Sequence, residues 1–257
     1  MNNNIFFILC HQDDEFGLFN VIEKATKKQK NVFVIYLTSG LKTKNQNSKN
    51  KLLRRDKESL NVLLKLGVSK NNIFFLGKKL NIPVYLLYKN LNIIHHEINK
   101  FLKKQKGKHV IYTHSWEGGN EDHDSCFVIV KKIMYQNLKI TKAFEFSHYH
   151  NHKTKILPFK VQNFISDKKK IYKTKIKFFD KIKYINYLFN YTSQLYLWLP
   201  IFPFVIIKIL MNDYGNLKMI KKNLTIKKPH KGILLYEKLR TKKYSYFKKY
   251  FIDFLSN

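Results

Sequence analysis

Ile5-Phe-Phe-Ile-Leu-Cys10 is an unbroken apolar run of strand length, and it leads straight into His11-Gln-Asp-Asp-Glu15. A strand apolar on both faces suits a sheet covered by helices on each side, because a sheet with one wet face would alternate apolar with polar residues. Val32 to Leu37 has the same character, and between the two runs Phe16 to Lys28 places Leu18, Phe19, Ile22 and Ala25 at helical spacing. The predicted unit is strand, helix, strand. It repeats with a helix from about Ser48 to Leu66 stopped by Gly67, a strand Ile73–Leu76 and a helix Leu91–Leu102. A strand His109–Thr113, a helix Asp122–Tyr135 and a short strand Ala143–Phe146 follow. The alternation predicts an α/β fold, a Rossmann-like three-layer sandwich around a mostly parallel sheet, with sites beyond the carboxyl ends of the strands.

After Asn151 the pattern becomes irregular and acidic residues thin out, five of the 17 falling in the last 107 positions. No repeat or Gly/Ser linker separates the two parts. The expected organisation is a core over residues 1–150 and a substrate-side lobe over 151–257, packed on it as part of the same domain. Within that lobe, Leu195 to Ile207 is a run of thirteen apolar residues containing Pro200 and Pro203. It is too short to span a bilayer as a helix and reads as core or interfacial. With lysines around it, a peripheral membrane contact is one expectation.

Composition narrows the classes. A chain of 257 residues that is 44% apolar buries a sizeable core, which excludes a disordered protein. The net charge of +32 would ordinarily suggest nucleic acid. The excess is almost all lysine scattered along the chain, with no basic motif beside it, so no nucleic-acid partner is expected. Cys10 and Cys126 lie in apolar runs without metal-type spacing and read as buried thiols in a reducing compartment. The N-terminus lacks the basic region of a signal peptide, so the expected location is cytoplasmic, with the inner membrane face as the alternative.

Because acidic residues are scarce, their clustering is informative. Seven of the 17 fall in two short windows, His11-Gln-Asp-Asp-Glu15 and Trp116-Glu-Gly-Gly-Asn-Glu-Asp-His-Asp124, and each window holds a histidine. Both follow predicted strands and so face one sheet edge. Carboxylates after a strand can be a solvated turn or a helix start, and a lone histidine is usually a satisfied core residue. The two windows together suit a hydrolytic metal site, which takes three His or carboxylate ligands and keeps one position open for water.

These two windows resemble the His-Pro-Asp-Asp-Glu and Glu-Gly-Gly-His-Pro-Asp-His-Asp signatures of the LmbE-like (PIG-L) N-acetylglucosaminyl deacetylases. Weaker matches are Thr38-Ser39-Gly40, Arg55-x-x-Glu58, Leu66-Gly67-Val68, Phe75-Leu76-Gly77, Tyr191-Thr-Ser-Gln194 and Pro229 to Glu237. The resemblance implies a zinc-dependent deacetylase of an N-acetyl amino sugar, with another divalent metal as the alternative. By matching position, His11, Asp14 and His123 would be metal ligands, Asp13 the general base, Asp122 a partner behind the ligands and Arg55 a substrate contact. The base assignment is physically sensible, since Asp13 adjoins a ligand yet can point to the other side and take a proton without binding the metal. Glu15 is expected to accept backbone hydrogen bonds at the start of the next helix.

Two positions depart from the pattern. Gln12 replaces the usual proline, which alters turn rigidity. Asn120 stands where many members carry a histidine that stabilises the oxyanion; its amide donates a hydrogen bond but does not titrate. His114, after a strand, is read as a substitute for that histidine, a residue behind the ligands or a core histidine. His148, His150 and His152 would share one strand face, but no carboxylate accompanies them after Glu145, so a sheet-edge or substrate-facing loop is expected rather than a second metal site. The competing functions are a non-catalytic sugar- or partner-binding member of the fold and a basic membrane-surface protein.

Overall fold

The computed structural model describes residues 3–42, 46–154, 158–166 and 170–257. The leading strands are β1 (Asn3–Leu9), β2 (Asn31–Tyr36), β3 (Ile73–Phe74), β4 (Lys108–His114) and β5 (Ile140–Phe146), all parallel. Parallel neighbours need crossovers, and helices supply them. α1 (Phe19–Lys27) joins β1 to β2, and α2 (Gln46–Lys65) leads to β3. α3 (Leu76–Lys79) and α4 (Leu91–Lys104) lead to β4, and α5 (Glu121–Gln136) to β5. The short β3 ends two residues before the predicted boundary because Leu76 already opens α3. There Gly77 packs so tightly on the Leu37–Thr38 backbone that a Cβ would sit 2.3 Å from it.

Alternate residues of β1 feed two cores. Phe6 and Ile8 pack with Ile94 and Ile98 of α4 and Ile129 and Ile133 of α5, whereas Phe7 and Leu9 pack with Phe19 and Ile22 of α1 and Val62 and Leu63 of α2. The three-layer sandwich read from the apolar runs is therefore the observed one.

The C-terminal part packs on this core and also extends it. β6 (Tyr149–His150) and β7 (Lys160–Val161) form a small antiparallel pair. β8 (Ile171–Tyr172) and β9 (Leu217–Met219) run antiparallel at one edge of the main sheet, whose order is β3-β2-β1-β4-β5-β9-β8. Strands of two or three residues carry no periodic signal, which is why this stretch reads as irregular. α6 (Phe178–Leu188), α7 (Leu195–Trp198) and α8 (Phe202–Leu210) join the α1/α2 layer. α9 (Leu235–Leu239) and α10 (Tyr244–Ser256) join the other. Among the described residues no single helix is long and apolar enough to cross a membrane. Thr192–Trp198 with Phe202–Leu210 passes by length and composition, but the pair is bent by 94°.

The chain runs outward from β1 to β2 and β3, then returns to β4 on the other side of β1. The crevice at that reversal, outside the carboxyl ends of β1 and β4, is where such sheets place ligands.

Candidate metal centre

Both acidic windows open into this crevice. Past β1 the chain turns at Asp13, whose φ of +114° is a strained value for a residue with a Cβ, and enters a 3-10 turn over Asp14–Gly17. The turn aims the Asp14 carboxylate back at the strand end, where its Oδ2 accepts the N–H groups of Cys10 (3.0 Å) and His11 (2.6 Å). Oδ1 is left facing His123 Nε2 at 3.3 Å and His148 Nε2 at 3.6 Å. His11 swings to the other side, its Nε2 3.0 Å from Asp122 Oδ2, while Asp122 also accepts the N–H groups of Tyr85 and Leu87. With Nε2 bonded to Asp122, Nδ1 is the His11 nitrogen left to face a metal, 3.5 Å from Asp14 Oδ2. A carboxylate–histidine pair of this kind orients metal-binding imidazoles.

The second window is shaped by its helix. Asn120 caps α5, its Oδ1 accepting the Asp122 N–H at 2.9 Å, and Asp124 Oδ1 accepts the N–H groups of Glu117 and Gly118. The loop thus folds onto the first helical turn and presents His123. Gly119 is required there, because a Cβ would lie 1.9 Å from the Tyr149 carbonyl oxygen.

Donor atoms of Asp14, His114, His123 and His148 all lie within 4.8 Å of one another, and all four side chains are buried. His11 stands just outside this set. Among the described residues, both ring nitrogens of His123, both of His148 and Nδ1 of His114 have no hydrogen-bond partner. Each such buried polar atom costs about 1–3 kcal/mol, so several gathered around one carboxylate fit a cation. Protonation agrees. Burial, with His123 beside it, pushes His114 down to about 3, and burial pushes His148 well below its ordinary value. Burial opposes the charge on Asp14, but His114, His123 and His11 around it hold its carboxyl well below the usual range. Neutral His114 and His148 and ionised Asp14 are thus already in the states that bind metal, and the donor set suits zinc. His11 differs, since burial pulls it down but Asp14 and Asp122 push it up to about 10, so a metal there must displace a proton.

The cluster borders a cleft of roughly 320 Å³ lined by His11, Asp13, Asn120, His123, Tyr149 and Trp198, among others. Asp13 Oδ2 accepts from Trp198 Nε1 (3.2 Å) and Arg55 Nη2 (3.3 Å). Burial pushes this carboxyl up to about 7 against the pull of Arg55. Arg55 also donates to the carbonyls of Gly40 and Gln12, so its guanidinium clamps the turn that carries Asp13. Gln12, at the proline position, ties the same turn to Asp56 at 2.8 Å. Glu15 accepts the Asp13 N–H and the hydroxyls of Tyr36 and Tyr191, a buried brace beneath the turn. Glu58 accepts from Arg54, Thr192 and Ser193, so two of the weaker sequence matches form one structural unit.

The structure therefore brings His11, Asp13, Asp14, Arg55, Asn120 and His123 to one cleft, with Asp122 behind them and His114 on the enclosed side of the cluster. Sequence reasoning weighed His148 and Tyr149 only as part of a second site and set them aside, and it missed Trp198. The signal for the first two was their place just past the carboxyl end of β5, beside β4 at the same sheet edge. His148 finds its carboxylate in Asp14, in the turn that follows β1. His150 instead bonds the Asn163 carbonyl and His152 packs near His230, so the three do not form a site of their own. Trp198 lay hidden in an apolar run.

The model of the family PIG-L: GlcNAc-PI de-N-acetylase matches residues 6–134, half of the chain, and contains both windows. The chain belongs to the PIG-L family. Membership makes it a metal-dependent amide hydrolase, a deacetylase, in keeping with the donor cluster. A deacetylase of the teicoplanin biosynthesis pathway superposes with a TM-score of 0.62 at 12% identity, over 84% of this chain and 96% of that one. Teicoplanin deacetylase Orf2 in a zinc-inhibited form gives 0.62 at 12%, over 84% and 97%. N,N'-diacetylchitobiose deacetylase from Pyrococcus horikoshii gives 0.59 at 16%, over 84% and 83%. At these identities the likeness is one of fold. A comparison with curated proteins returned no match. The PIG-L match ends before His148, Tyr149 and Trp198.

Proposed function

We propose that this PIG-L protein is a zinc-dependent N-deacetylase that hydrolyses the acetamide of an N-acetyl amino sugar or sugar conjugate, in cytoplasmic steps of surface glycan or glycolipid synthesis. The observation that carries the reading is the division of labour at the strand end, with Asp14 inside a cluster of unpartnered imidazoles and Asp13 beside it at the cleft. The names of the teicoplanin and diacetylchitobiose deacetylases support a sugar conjugate as substrate.

Zinc held by His11, Asp14 and His123 supplies Lewis-acid polarisation of the acetamide carbonyl when bound. Asp13 has Oδ2 committed to Trp198 and Arg55, while no described residue donates to Oδ1. Oδ1 takes the proton of the attacking water and returns it to the departing amine. Asn120 has its oxygen engaged in capping α5, which leaves its Nδ2 toward the Tyr149 hydroxyl at 3.4 Å. Burial pushes the Tyr149 phenol well above its ordinary value, so it stays neutral and donates. These two donors at the cleft take the oxyanion role that a histidine plays in many relatives. Arg55 acts as a positioning residue for Asp13.

The test is acetate release from free, nucleotide-linked and lipid-linked N-acetyl amino sugars, with zinc measured in parallel. Wild type is expected to release acetate from one of them, and His123→Ala to lose both zinc and activity. A fully zinc-loaded protein that releases acetate from none of the three is instead a sugar-binding member of the fold. We also propose a peripheral membrane contact at the cleft rim, where exposed Tyr196, Leu197 and Leu199 adjoin the lining residues Trp198, Pro200 and Ile201.

A further inference from the structure

We propose that His148 is a further protein ligand of the metal, its Nε2 joining Asp14 Oδ1 and His123 Nε2 from the side away from the cleft. The inference rests on the metal-dependent reading of the site and adds a donor to the set that the two acidic windows supply.

Three observations carry it. The first is spacing. Tetrahedral ligands at about 2.0–2.2 Å from zinc stand roughly 3.3–3.6 Å from one another. Asp14 Oδ1 is 3.3 Å from His123 Nε2 and 3.6 Å from His148 Nε2, and the donor atoms of the two histidines lie within 4.8 Å of each other, so two of the three separations already match a shared ion.

The second observation is chemical. A buried histidine kept for packing normally finds a partner for at least one ring nitrogen, yet among the described residues His148 has none for either. Asp14 Oδ1 likewise takes none of the backbone N–H bonds, which go to Oδ2.

The third is rigidity. The buried Glu117 accepts the N–H groups of His148 (2.8 Å) and Tyr149 (3.0 Å) through Oε1 and the Ser147 hydroxyl (2.6 Å) through Oε2, fixing the three residues past β5. The His148 ring is wedged between Phe16 at 4.6 Å, Phe146 at 4.9 Å and His114 at 5.0 Å. Gly17 makes room, since a Cβ there would lie 2.9 Å from Phe146 and 3.4 Å from His148 Cε1. A side chain held this firmly with both nitrogens unpaired is preorganised for an ion. His148 does not line the cleft; with His11, Asp14 and His123 it would make four protein ligands, would strengthen metal retention from behind and would leave the cleft side for a fifth ligand.

The experiment is zinc affinity by chelator competition on the full chain, with wild type, His148→Ala and His123→Ala compared. His148→Ala is expected to lose more than about 100-fold in affinity, beyond the roughly 10–100-fold typical of an outer partner. A loss of about 100-fold or less, which an outer partner would also give, overturns the proposal. His123→Ala is the separate control: if it too keeps wild-type affinity, the metal site itself is misplaced, and the wider reading falls with it. A second measurement avoids substitution. In wild-type chain with isotope-labelled histidine nitrogens, loading with a magnetically active cadmium isotope is expected to split the His148 Nε2 resonance by one-bond coupling. An unsplit resonance overturns the assignment even where the alanine variant fails to fold.

Discussion

Replacing Asp13 by Asn changes one oxygen for an amide at a position whose φ of +114° Asn tolerates better than most residues, so the turn should survive. The Asn oxygen still accepts from Trp198 and Arg55. What disappears is a buried charge and a base. Burial raises the Asp13 carboxyl from 3.8 to about 7 despite Arg55. At 1.36 kcal/mol per unit, that difference of about 3 units corresponds to roughly 4 kcal/mol as an upper bound. A folded-state pKa above the unfolded one means that stability is fully present below about pH 4, declines as pH rises, and is lost once pH passes about 7. Metal-free Asp13→Asn, which does not ionise, is therefore expected to be more stable than wild type at pH 8 by about 1–4 kcal/mol, and equal to it at pH 4. The zinc-loaded variant should keep its metal while its rate falls by about 10²–10⁴, or roughly 2.7–5.5 kcal/mol on the barrier. Catalysis needs the ionised form, so wild-type activity should rise with pH along a limb that the variant lacks. The positive metal beside Asp13 places that limb at or below about pH 7. Denaturant unfolding at the two pH values and steady-state kinetics check both halves. A wild-type rate, or no stability gain at pH 8, would refute the reasoning.

Asp122→Asn should leave the fold in place but free His11 to rotate, because the Nε2 contact at 3.0 Å sets which nitrogen faces the metal; zinc affinity is expected to drop about 10–100-fold, read by chelator competition. If the apolar rim of α7 and α8 and the surrounding lysines dock on a membrane, vesicles containing anionic lipid should retain the protein at low salt and release it at high salt, and equal partition to neutral and anionic vesicles would remove the idea.

Much of the fold was legible because burial on two faces leaves a mark in the sequence. The apolar runs that became β1 and β2 pack alternate residues into two separate cores, and a helical stripe lies between them. Boundaries were least legible where short-range packing overrode pattern, as where Leu76 turns from the predicted strand into α3. The antiparallel edge strands β8 and β9 were invisible because two or three residues cannot display a period. At the site, the scarcity of acidic residues made the two windows stand out, and their places after β1 and β4 put both at one sheet edge.

The sequence by itself determined the layer architecture, the edge of the sheet that carries the chemistry, and the pairing of Asp13 and Asp14 with His123, because each depends on local pattern and on the direction of a strand. Only the tertiary structure decided which way each group faces and what meets it from elsewhere in the chain. The backbone N–H groups of Cys10 and His11 turn one oxygen of Asp14 inward, Arg55 is drawn onto the Asp13 turn, and the indole of Trp198 reaches Asp13 from an apolar helix. His148 reaches the same carboxylate because Glu117 pins the segment beyond β5. These contacts join residues far apart in sequence through loops, and local periodicity carries no record of such closure.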